Sequence, residues 1–420
     1  MSHHRIRIIL IAFTAAIVAM LAATVVLCHD APPVDDSFIR LERLNVPAED
    51  NAFTWLERAG DGLEIDSYHD FLKTALEDET SARQTVEQNK RAFEHLAAAL
   101  RCRQFEVPAI GGYDTLLPYI DKWGRVCNLA RLRAALLLKD GKHREALEQF
   151  LQLVEFGHRV QNCRGGIIHY SAGLRIKKYG LAGIRQLLGN AALSRDILRQ
   201  TTDRLARFAA DPYAVENALK GEYGSLAATI DDLVAGRFHD EMNQMMSIGL
   251  PFSPYHLQPN KTKQMIAGIC MTGIAVASKP YAEQPIQGMP PVVQAFRSMP
   301  PLRRYLTRNF TGTIAWGMAA DGVEALLGLK CEENTVVAGT RLLIALKCCK
   351  EATGSLPASL DELAPGYLDH VPLDDFNGKP FRYLPDRKII YSVGLDLVDD
   401  GGKECDSNTG KGDTIWEIKF

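Results

Sequence analysis

The chain has 420 residues, with 48 lysines and arginines against 51 aspartates and glutamates and a formal net charge of −3. That length supports two or three domains with ample core, and the near-neutral balance argues against nucleic acid as a partner. The nine cysteines form no CxxC pair, which argues against a zinc site.

Residues 8–28 are almost all apolar and carry no charge. About 21 residues make roughly 31 Å of helix, enough to cross a hydrocarbon core of about 30 Å. Arg5 and Arg7 precede the run, and Asp30, Asp35 and Asp36 follow it. The positive end is expected in the cytoplasm and the rest of the chain outside it. A cleaved signal peptide is the rival reading. Ala19, Ala22 and Ala23 are small enough for cleavage, but Val25, Val26 and Leu27 continue the apolar run past them. Leu27 is bulky where lipoprotein attachment at Cys28 wants a small residue. In an exported protein the other cysteines could pair. Cys102, Cys127 and Cys163 lie in helical stretches and serve equally well as small buried hydrophobes.

Ala31-Pro32-Pro33 begins a short linker, and from Ser37 onward the chain reads as helix after helix. Residues 72–100 read as one long amphipathic stretch, broken by the segment 108–112. Residues 123–160 read as a helix pair around the turn Lys139-Asp140-Gly141-Lys142. Gly141, Glu145, Ala146, Leu147 and Phe150 match the opening of the second helix of a tetratricopeptide hairpin, which this pair resembles; a true array needs three or more units. Residues 181–188 and 194–208 make a second candidate hairpin around Gly189-Asn190. The region is an α-helical, hairpin-stacked domain in expectation. Residues 249–260 and 280–301 are proline-rich and irregular. Between them Asn260 is the expected N-cap of an apolar helix over 265–278, too short to span a membrane. Residues 309–329 are helical again, with Asp321 and Glu324 unfit for a lipid span.

No phosphate loop, HExxH, GxSxG or GxGxxG motif is present. His143, His158 and His169 share one helical region, but their spacing fits no metal-ligand pair. Glu222 and the pair Asp231-Asp232 could supply catalytic carboxylates, or form an ordinary solvated helix face. Asn260-Lys261-Thr262 and Asn309-Phe310-Thr311 match the glycosylation sequon.

The most informative stretch is the last. Val336, Gly339, Leu343, Leu346 and Cys349 recur at helical spacing, so a helix is expected from Thr335 to a stop at Gly354. Leu356-Pro357 forces an extended step. Ser359 with Glu362 reads as a capping box, and Asn377-Gly378 as a turn. Residues 381–384 and 389–393 read as a hairpin around 385–388, and 414–420 as a third strand. Between hairpin and last strand lies a glycine-containing acidic loop with Asp396, Asp399, Asp400 and Asp413.

The order of helix, TG-x-LP-x-SL-x-EL, VP-x-D-x-x-x-G-x-P, YL turn and YS-x-G-x-D strand end, over the last fifth of the chain, resembles the globular domain of the major pseudopilin of type II secretion systems. That family ends in an acidic loop holding calcium. The resemblance places Asp396 and Asp413 on acidic family positions, with Asp399 and Asp400 beside them. The alternative for this loop is a solvated acidic turn. Two departures stand out. The family's DPWGNPY is DDFNGKPF at 374–381. The processing glycine and the glutamate of the family's N-terminus are missing from Ala12-Phe13-Thr14-Ala15-Ala16-Ile17, so packing into a filament is not expected.

The expected fold class is mainly α with a C-terminal α+β module. Residues 1–30 form a cytoplasmic stub and transmembrane anchor, 31–330 an α-helical domain, and 331–420 a pseudopilin-like module, with the boundary at 329–334. Two functions of different class are compatible with this layout. One is an exported scaffold or interaction protein with protein partners, held in a bacterial inner membrane through residues 8–28, facing the periplasm and connected with type II secretion or envelope assembly. The other is an exported hydrolase whose site is built from separated residues. Calcium is the one cofactor the resemblance implies.

Overall fold

Helix α1, His3–Cys28, opens the chain, and none of its residues from Ile11 to Cys28 is buried among the described residues. It is long and apolar enough to cross a membrane, and it is the one such helix among the described residues. The computed structural model describes residues 3–65, 71–112, 115–190, 193–237, 254–285, 294–295, 298–406 and 410–420.

The body begins with α2, Ala52–Gly60, capped by the Asn51 side chain on the Phe53 amide. The stretch expected as one helix over 72–100 is three: α3, Phe71–Ala75, α4, Glu79–Gln88, and α5, Lys90–Arg101. Asp78 caps α4 by accepting from the Ser81 amide, and the chain turns again at Asn89. Both are residues that compete with helical hydrogen bonding and so mark ends. The hairpin of α6, Pro118–Lys139, and α7, His143–Gln161, follows as the sequence predicts, with Gly141 at φ 70° in its turn. Helix α8, Ile167–Asn190, packs lengthwise on α7. That approach requires glycine: a Cβ on Gly157 would lie 2.4 Å from the Gly173 carbonyl oxygen, and one on Gly173 2.5 Å from that of Gly157. Then come α9, Arg195–Ala206, α10, Pro212–Ala235, α11, Pro259–Val276, and the short α12, Pro301–Tyr305. The α11 N-cap is Gln258, because Pro259 takes the first helical position; Asn260 lies inside the helix and is not the cap. Part of the expected loop over 249–260, and part of that over 280–301, lies outside the described residues.

Helix α13 corrects the sequence reading most. It runs unbroken from Phe310 to Thr353. The break expected at 329–334 is absent, since Lys330, Cys331 and Glu333 are buried helical residues. No glycine or proline interrupts 329–338, so the backbone has no reason to stop there. The helix ends at Gly354, which takes the left-handed conformation at φ 82°. Strands β1, Arg382–Leu384, β2, Ile389–Ser392, and β3, Thr414–Glu417, form an antiparallel sheet in that order. Register pairs Tyr383 with Ile390 and Ile390 with Trp416.

One apolar core joins these parts. It runs from Leu56 and Trp123 through Phe150, Leu153 and Leu346 to Phe381, Ile390 and Trp416. A second core holds α10, α11 and the first half of α13 together through Val215, Tyr223, Ile266, Cys270 and Val323. The expected boundary near residue 330 thus falls in the middle of a helix that serves both cores. All nine cysteines are free, and six of them are buried.

Candidate functional site

The capping box, the turn and the hairpin form where the sequence places them. Ser359 accepts from the Asp361 amide while Glu362 reaches back to the Ser359 amide at 3.1 Å. Lys388, at φ 51°, closes the turn into β2. The acidic loop then returns from β2 to β3, and its carboxylates have separate duties. Asp413 is fully buried, and Oδ2 accepts from the Gly402 amide at 2.7 Å and the Lys403 amide at 3.3 Å. Its Oδ1 faces the Asp400 amide at 3.4 Å. Burial pushes its pKa up. Asp396 accepts from the Val398 and Gly412 amides, each at 3.1 Å. Asp399 accepts from Arg382 Nε at 2.9 Å, from the Tyr391 hydroxyl and from the Gly401 amide. Its hydrogen bond with Arg382 holds its pKa below the usual carboxylate range. Asp400 contributes its amide to Asp413, and its side chain is exposed.

Calcium takes six to eight oxygens converging at about 2.3–2.6 Å. Here Asp396, Asp399 and Asp413 turn to backbone amides, the Tyr391 hydroxyl and Arg382, and no group of three or more metal-ligating side chains converges among the described residues. In this arrangement the described part of the loop gathers no such set of oxygens. Thermal melting of the whole chain is expected to give equal midpoints in millimolar calcium and in chelator, with Asp413→Ala lowering both alike. A midpoint raised by calcium alone would show that the loop rearranges around the ion.

A different feature of the same module was not legible in the sequence. Strand β3 is an edge of the sheet. The Ile418 amide donates to the Lys388 carbonyl at 2.8 Å. By alternation, Trp416 and Thr414 also face β2, and Ile415 and Glu417 turn their amides and carbonyls outward. Those outward groups border a groove of about 590 Å³ between β3 and the end of α8. Arg185, Gln186, Leu188, Trp416 and Lys419 are among the residues lining it. Arg185 donates to Thr340 Oγ1 at 3.2 Å and has no carboxylate partner among the described residues. Burial pulls its pKa down to about 10.

The residues proposed for hydrolysis do not converge. Asp231 pairs with Lys263 and Asp232 with Arg237, while Glu222 is half-buried beside Gly166. His169 bonds Tyr119 at 2.9 Å inside the core. His158 lies against Lys177 Nζ at 3.3 Å, and His143 starts α7, well away in sequence. No family model, curated protein or solved structure matches the chain.

Proposed function

We propose that this is an exported interaction protein, hung from a membrane by α1, that takes an extended segment of a partner protein as a fourth strand on β3. The observation that carries the reading is the position of β3 at the end of the sheet, beside the Arg185 groove. Strand addition draws its affinity from main-chain hydrogen bonds and its specificity from pockets for alternate side chains. Two outward residues and a groove supply both, and Arg185 can receive a carboxylate of the guest. The pseudopilin-like order of helix, capping box and hairpin supports an envelope setting, with secretion or assembly machinery of a bacterial inner membrane as the partner class.

The edge can be tested without breaking the sheet. Ile415→Pro deletes an outward amide and leaves the β2 ladder intact, which is the position where an edge strand tolerates proline. A photo-crosslinking residue at Glu417 is expected to give a partner adduct in cells, and Ile415→Pro to abolish it while the melting midpoint barely moves. Adducts that survive Ile415→Pro in a normally folded protein would refute strand addition.

A further inference from the structure

The body does not hang loosely from its anchor. Asp30, two residues after α1, accepts from the Asn260 amide at 2.8 Å and the Lys261 amide at 3.2 Å. Asn260 Nδ2 donates to the Ala31 carbonyl at 3.0 Å. The His29 carbonyl receives Gln258 Nε2 at 3.1 Å and the Arg308 guanidinium. If Cys28 ends the span, every group bonded to His29 lies at headgroup depth.

The segment around Arg308 is built for that depth. Helix α12 and the turn after it expose Leu302 by 72%, Tyr305 by 47% and Leu306 by 61%. Arg303, Arg304 and Arg308 stand among them with no carboxylate partner among the described residues. The turn is held rigidly: the Asn309 amide donates to the Tyr255 carbonyl at 2.9 Å and the Tyr255 hydroxyl to the Leu306 carbonyl at 2.5 Å. Apolar side chains in water beside arginines that meet no carboxylate among the described residues would be poorly placed on a free surface. Beside a membrane each finds its medium, since aromatic and basic side chains prefer the interface and arginine suits phosphate.

We infer that residues 301–308 are a second membrane contact: Leu302, Tyr305 and Leu306 enter the interfacial layer of the leaflet where α1 ends, and the three arginines engage anionic lipid phosphates. The inference rests on the reading of α1 as an anchor. Such insertion reaches roughly 5–10 Å below the headgroups. It would fix the body's tilt and so the direction in which β3 faces.

The test uses the full chain in vesicles of phosphatidylcholine, with and without phosphatidylglycerol, carrying bromine near the headgroup end of the acyl chains. Leu306→Trp adds a reporter at an exposed position, and emission from the four native tryptophans is subtracted using the unsubstituted chain. The added emission is expected to be quenched, more strongly with phosphatidylglycerol, and that lipid preference to vanish in Arg303→Gln/Arg304→Gln. Leu302→Trp provides an independent reporter should Leu306→Trp misfold. Failure of the chain to float with vesicles would overturn the anchor reading itself. Flotation with unquenched, water-exposed tryptophan at both positions would overturn this inference alone. Quenching indifferent to lipid charge would overturn the role of the arginines.

Discussion

Glu333→Gln is expected to destabilise the folded chain by about 3–5 kcal/mol, the cost of leaving a buried charge without its partner. Glu333 and Lys177 are ion-paired in the core, with side chains 1% and 0% exposed. Glu333 Oε2 also accepts from Gln161 at 2.7 Å and the Tyr170 hydroxyl at 2.5 Å, and Lys177 donates to the Phe208 carbonyl at 2.9 Å. The glutamine keeps the shape and removes the charge, so Lys177 is left ionised in a dry site or must give up its proton. Lys177→Met is expected to cost a similar amount by stranding Glu333. The double variant should recover much of the loss, since replacing both partners is far milder than breaking the pair. Urea unfolding of the four proteins in a double-mutant cycle measures this, and additive losses would show that the pair is not coupled.

Two buried histidines, His158 beside Lys177 and His169 beside Tyr119, are expected to make the fold acid-sensitive. Burial pushes the pKa of His158 down to about 3, and the Lys177 charge acts in the same direction. Burial pushes His169 down to about 4. Unfolded histidines titrate near about 6.5. Between those values the unfolded chain binds more protons, so stability falls as pH drops from about 6.5 toward the folded pKa values and levels off below them. The urea midpoint is expected to fall through that window, and His169→Gln to flatten part of the slope.

The second large effect lies where sheet meets helix. A Cβ on Gly339 would sit 2.3 Å from Trp416 Cε2. Trp416 is 3% exposed and meets the Phe381 ring edge-on at 5.8 Å between centroids. It cannot withdraw without opening the sheet. Gly339→Ala is expected to cost about 1–3 kcal/mol by overpacking, after a small gain in helix propensity. Trp416→Ala should cost about 3–5 kcal/mol through the cavity it leaves. Trp416→Leu should lessen the penalty of Gly339→Ala, because the clash is with the indole. Thermal melting reads all of these. An unchanged midpoint for Gly339→Ala would mean that the sheet does not lean on α13 as described.

What the sequence revealed depends on how far apart the partners lie. The Ser359–Glu362 box, the stop at Gly354 and the hairpin turn at Lys388 are set by residues within four positions of one another, and all formed as read. The apolar run of α1 was equally plain. The continuity of α13 was hidden because Lys330, Glu332, Glu333 and Asn334 look like a solvated linker. Their reasons lie elsewhere: Lys330 pairs with Asp375, Glu333 with Lys177, and Asn334 donates to Asp375 at 2.8 Å. The acidic loop hid its hydrogen bonding in a similar way. Composition showed carboxylates near glycines, but not that the glycine-rich backbone itself would satisfy Asp413. The position of β3 at the end of the sheet is a property of sheet order, which no local pattern encodes. Arg185 gave no signal either, being one charged residue among many on α8.

Everything proposed for the edge strand and the arginine turn requires the body to lie across the membrane from the N-terminus. A reporter enzyme active only outside the cytoplasm, joined after Phe420 through a flexible linker, tests that most directly. Arg5 and Arg7 before the span and Asp30, Asp35 and Asp36 after it predict an active fusion at full length in the membrane fraction. An inactive full-length fusion, with the matching cytoplasm-only reporter active in its place, would contradict the account.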